Sequence, residues 1–140
     1  MKKFFIFVLI CLFLSSCTHQ TTYKLLNDES EISNISIINI SFNENGEIIQ
    51  TELQPIKNIE SFLNAFKKLD CRIYYGDPAG ITEEGEEACV IKILYNNSEY
   101  ELINWNGQAE YTCEKGFNFY AGYSVFDKEE FNLFINSFLE

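Results

Sequence analysis

Residues 35–53 read ISIINISFNENGEIIQTEL, and the way this stretch turns back on itself decides the fold. Its first eight residues are rich in isoleucine. Alternation puts Ile38, Ile40 and Phe42 on one face and Asn39 and Ser41 on the other. Branched side chains in such a pattern fit a pleated strand better than a helix. Asn45-Gly46 follows, a pair that tolerates the left-handed backbone of a tight turn, and EIIQTEL (47–53) returns as the second strand. The same residues approach the spacing of a calcium loop, with Asn43, Asn45, Gly46, Ile48 and Glu52. Its first position is Ser41 instead of a carboxylate, and a strand enters where a helix should. The hairpin is the expected structure.

Working outward, Pro55 ends the second strand. Ile59, Phe62, Leu63, Phe66 and Leu69 then recur at helical spacing behind Asn58, a good capping residue, which predicts a helix over 58–69. CRIYY (71–75) reads as a short strand, and GDPAGITEEGEE (76–87), rich in glycine and acids, as an exposed loop. ACVIKILY (88–95), EYELINW (99–105), AEYTCE (109–114) and FNFYAGYSVF (117–126) continue as a meander turning at Asn96-Asn97 and Asn106-Gly107. At the end, Asp127 and Glu130 have the spacing of a capping box, and Phe126 and Phe131 that of a hydrophobic staple. Phe131, Phe134, Ile135 and Phe138 form an apolar stripe over 128–139. SFLNAF (61–66) faintly echoes EFNLFINSF (130–138), as helices with one apolar face do by necessity. The fold class expected is α+β: an antiparallel β-sheet, hairpin plus meander, with two amphipathic helices packed on one face.

The chain begins MKKFFIFVLICLFLSSCTHQ. Two lysines precede eleven apolar residues, Phe4 to Leu14, and then Ser15, Ser16 and Cys17. A spanning helix needs about 20 apolar residues, so this run is too short, but it suits the core of a secretory signal. Leu14-Ser15-Ser16-Cys17 resembles the lipobox of bacterial lipoprotein signal peptides. That resemblance implies cleavage between Ser16 and Cys17, a diacylglycerol thioether on the Cys17 sulfur, and further acylation of the new amine by a chain such as palmitate. Two or three acyl chains anchor a protein firmly where one does so marginally. The layout expected is a cleaved signal over 1–16, a lipidated cysteine and polar tether over 17–31, and a single α+β domain over 32–140. The protein is then extracytoplasmic, held to a bacterial cell membrane by lipid, with the choice of membrane left open.

Loss of Lys2 and Lys3 with the signal leaves 8 basic against 21 acidic residues, a net charge of −13. Such a chain repels phosphate, so no nucleic acid is expected as a partner. The single histidine, His19, lies two residues from the lipidation site, too far from the domain for a catalytic triad. No phosphate-binding loop is present. No catalytic residue, metal or cofactor is expected. Cys71, Cys89 and Cys113 remain after Cys11 and Cys17 are removed from the count; at most one disulfide can form among them, and their wide spacing is unlike a zinc site. The candidate contact residues are Asp77, Glu83, Glu84, Glu86 and Glu87 of the acidic loop, with Trp105 among the many tyrosines of the sheet. They suit an envelope protein or a cell-wall glycan. The function expected is a binding or accessory lipoprotein of the cell envelope, not an enzyme. The alternatives are an anchored inhibitor or immunity protein and, last, a hydrolase using the loop carboxylates.

Overall fold

The turn at Asn43 to Glu47 shows how the first hairpin closes in the computed structural model, which describes residues 20–75, 87–119 and 122–139. Strand β2 (Ile32–Phe42) pairs antiparallel with β3 (Ile48–Pro55), setting Phe42 opposite Ile48. The Asn43 carboxamide oxygen accepts from the N–H groups of Asn45 and Glu47 at 2.9 and 2.8 Å. Gly46 sits at φ 77°, a conformation that suits glycine. The loop residues are thus occupied in making the turn.

Helix α1 (Ile59–Phe66) and β4 (Cys71–Tyr75) follow. Next come β5 (Ala88–Tyr95), β6 (Tyr100–Asn104), β7 (Gly107–Thr112) and β8 (Gly116–Phe119). These join the hairpin in a six-stranded antiparallel sheet of order β3-β2-β5-β6-β7-β8. The chain then leaves that sheet. FNFYAGYSVF does not run on as one strand: its second half, β9 (Gly122–Phe126), pairs with β4, placing Phe126 opposite Cys71. The reason lies in the core. Phe126 is buried, with its ring 5.6 Å from Phe66 and 6.0 Å from Tyr23, and its N–H donates to the Trp105 carbonyl at 2.7 Å. A three-stranded sheet of order β1-β4-β9 results, in which β1 is Gln20–Thr21 among the described residues.

Both helices begin on side-chain caps. Asn58 accepts from Ser61 N–H at 2.9 Å, and Asp127 accepts from Glu130 N–H at 3.0 Å before α2 (Lys128–Leu139). Phe126 and Phe131 pack at 5.2 Å across the second cap. Phe62 of α1 meets Phe134 and Phe138 of α2 at 5.1 and 4.9 Å, so the two echoing stripes pack on each other. Together with Ile35, Ile37, Ile91, Ile93 and Ile103 they form the main core. The other face of the sheet buries Ile38, Ile40, Val90, Leu102 and Ala109. The isoleucine-rich strand is therefore buried on both sides, which accounts for adjacent Ile37 and Ile38.

The largest departure from expectation concerns residues 20–31 of the expected tether over 17–31. Where a polar tether was expected, Tyr23 is buried in the main core, Leu25 and Leu26 pack against it, and Gln20 pairs with Arg72. A 3₁₀ turn (Glu29–Glu31) follows, tied to α1's end by a 2.5 Å contact between Lys67 and Glu29. The ordered domain thus starts well before residue 32. Among the described residues no helix is long and apolar enough to cross a membrane.

Phe66 sits at the centre, with Tyr23, Phe62, Phe126 and Phe134 all within 6.1 Å of its ring. Phe66→Ala is expected to cost about 3–5 kcal/mol, read as a lowered urea midpoint with an unchanged slope.

Candidate functional site

Strand β6 carries a glutamate on its core side. Glu101 lies opposite Ile93 and shares a face with Ile103, so its carboxylate enters the main core, where it is 1% exposed. A carboxylate taken so far out of water must have its oxygens occupied. The Tyr23 hydroxyl donates to it at 2.5 Å, the Tyr95 hydroxyl donates to its other oxygen, and Leu26 N–H donates at 3.2 Å. Burial pushes the Glu101 pKa up, and these three hydrogen bonds oppose the shift. Burial, and then the neighbouring Glu101 charge, raise both phenols, which keeps them as protonated donors. With its oxygens taken up by internal donors, Glu101 acts as a clamp that fastens residues 23–26 to the sheet.

The opposite face carries the open chemistry. Tyr100 on β6 and Tyr111 on β7 are cross-strand partners and stack at 4.8 Å with their planes 16° apart. Phe117 of β8 meets both edge-on, at 5.9 and 5.2 Å. Lys92 of β5 places its ammonium 4.3 Å over the Tyr100 ring and donates to the Gln50 carboxamide at 2.6 Å. Gln50 in turn donates to the Tyr100 hydroxyl at 3.0 Å. Burial holds the Lys92 pKa below its ordinary value, against the opposing pull of Glu52. All five side chains are half-buried. The array sets half-buried aromatic surface beside an ammonium and an amide, a mixture of apolar and hydrogen-bonding groups that suits a binding surface.

The residues singled out from sequence fall elsewhere. Trp105 is half-buried on the helix side, packed against the main core with the Lys128 ammonium 5.1 Å from its ring. It does not join the tyrosine array. Glu87 is exposed and accepts from the Asn39 carboxamide at 2.6 Å. Ser16, Cys17, Asp77, Glu83, Glu84 and Glu86 lie outside the described residues. Cys71 is buried in the core, Cys89 is half-buried with its thiol pKa raised by that burial, and Cys113 is exposed in the turn after β7. Sequence reasoning passed over Tyr23, Gln50, Lys92 and Glu101. The signal for Glu101 was present: counting by twos from Ile103 puts it on the buried face.

No family model matches the chain, and neither a curated protein nor a solved structure matches it.

Tyr23→Phe leaves one Glu101 oxygen short of a donor and is expected to lower stability by about 1–3 kcal/mol in urea. The pH dependence follows from the direction of the Glu101 shift. Its folded pKa lies above the ordinary value of 4.5, so just above that pH the folded form holds more protons than the unfolded chain. Its contribution is full below 4.5 and is lost as the pH rises through the folded pKa. Urea midpoints measured upward from pH 4.5 should therefore fall, and Glu101→Gln should make that fall shallower.

Proposed function

We propose that this chain is a bacterial lipoprotein, cut before Cys17 and anchored by lipid on that sulfur, whose domain binds a partner at the cell envelope. The lipobox-like Leu14-Ser15-Ser16-Cys17, after two lysines and eleven apolar residues, supports the anchoring. The observation that carries the binding function is the array of Tyr100, Tyr111 and Phe117 beside Lys92 and Gln50. In this reading the hairpin and meander form a platform, two amphipathic helices pack on one of its faces, and the other face is used for recognition. The partner class favoured is a cell-wall glycan. Sugar C–H groups pack against Tyr111 and Phe117 while the amide and ammonium meet hydroxyls.

Cys17→Ser is expected to abolish fatty-acid labelling and to leave the signal uncleaved; unchanged labelling would contradict the anchoring. For binding, protein displayed on beads is expected to retain solubilised cell-wall glycan. Tyr111→Ala should lose most of that retention while keeping a cooperative urea transition. Equal retention by the variant, or retention of envelope protein in place of glycan, would count against the glycan-binding face.

A further inference from the structure

We infer that the tip of β4, residues Ile73, Tyr74 and Tyr75, is a membrane contact that rests in the bilayer interface beside the lipidated cysteine. The inference builds on the lipoprotein reading above. These three consecutive large side chains are 47%, 57% and 80% exposed. Alternation would hide at least one face of a strand, yet here both faces are open, which in a soluble domain marks a contact surface.

What covers them follows from chain length. Gln20 of β1 pairs antiparallel with Arg72 of β4. Cys17 is three residues earlier, so its Cα is held within about 11 Å of Gln20. Tyr75 lies three residues beyond Arg72, about 10 Å along the strand. Because the two strands are antiparallel, the chain enters β1 at the end that faces Tyr75 and leaves it at the end that faces Cys71. The clamp at Glu101 holds Tyr23 in the core and so fixes where the chain leaves β1. A lipid on Cys17 therefore brings the β4 tip to the membrane surface.

The chemistry of the tip fits that surface. Tyrosine is enriched where a membrane meets water, its ring among the lipids and its hydroxyl in the headgroups. Lys24, which is exposed, lines a shallow pocket together with Ile73, and a lysine at an interface keeps its charge in water while its stem covers apolar surface. Other exposed apolar residues, such as Leu133 on α2 and Ile49 on β3, have no such link to the anchor.

The test uses the full mature protein with its lipid, reconstituted in phosphatidylcholine vesicles carrying a phospholipid with a headgroup-level diazirine. After illumination, adducts mapped by mass spectrometry are expected on Ile73, Tyr74 and Tyr75, several-fold above Leu133 and Ile49. Even labelling across those residues, or adducts concentrated away from β4, would overturn the inference. The mass of the N-terminal peptide from the same sample separates the two proposals. A Cys17 without lipid removes both, whereas a lipidated Cys17 with an unlabelled β4 tip removes this one alone.

Discussion

A carboxylate buried in the middle of a sheet sets the terms for much of this molecule. Glu101 cannot return to water without turning β6 over, because Leu102 on the same strand is buried on the opposite face. It needs donors, and the sheet itself supplies one, from Tyr95. The others come from Tyr23 and Leu26, so the segment before the first long strand must fold back across the core. Once there, the Tyr23 ring packs against Phe66 and Phe126. A polar requirement thereby organises an apolar cluster, joining α1, β9 and the N-terminal strap around one side chain.

The consequence is a division of labour between the faces of the sheet. The helix side is filled by phenylalanine and isoleucine. The other side has a smaller apolar floor, with half-buried tyrosines, a lysine and a glutamine around it. Lys92 illustrates the difference. Its ammonium is held over a ring and against an amide, in partial burial that lowers its pKa, whereas most other lysines of the domain are exposed. A desolvated cation beside aromatic rings is a stronger recognition element than a solvated one.

Much of the secondary structure was legible because it depends on local rules. The caps at Asn58 and Asp127, the Phe126–Phe131 staple and the turn at Gly46 all act within a few residues, and each lies where pattern alone put it. The segment 20–31 was misread for the opposite reason. Its composition is polar, and the two features that dock it, Tyr23 and the Leu26 amide, find their partner 78 and 75 residues away. The split of 117–126 into two sheets was hidden for a similar reason. Nothing local to Phe126 shows that Trp105 and Cys71 wait for it. The proposed recognition face was half legible. Aromatic enrichment is visible in the sequence, but nothing local tells Trp105 from Tyr111, and only strand register separates them onto opposite sides.

Residues 23–26 are part of the domain instead of a leash, held there by Glu101. Native-state hydrogen exchange at the Leu26 amide tests this most directly, since that N–H is held by the buried Glu101. Protection approaching that of the core strand at Ile93 is expected, with a marked loss in Glu101→Ala. Exchange at Leu26 as fast as in an exposed turn, unaltered by that substitution, would contradict it.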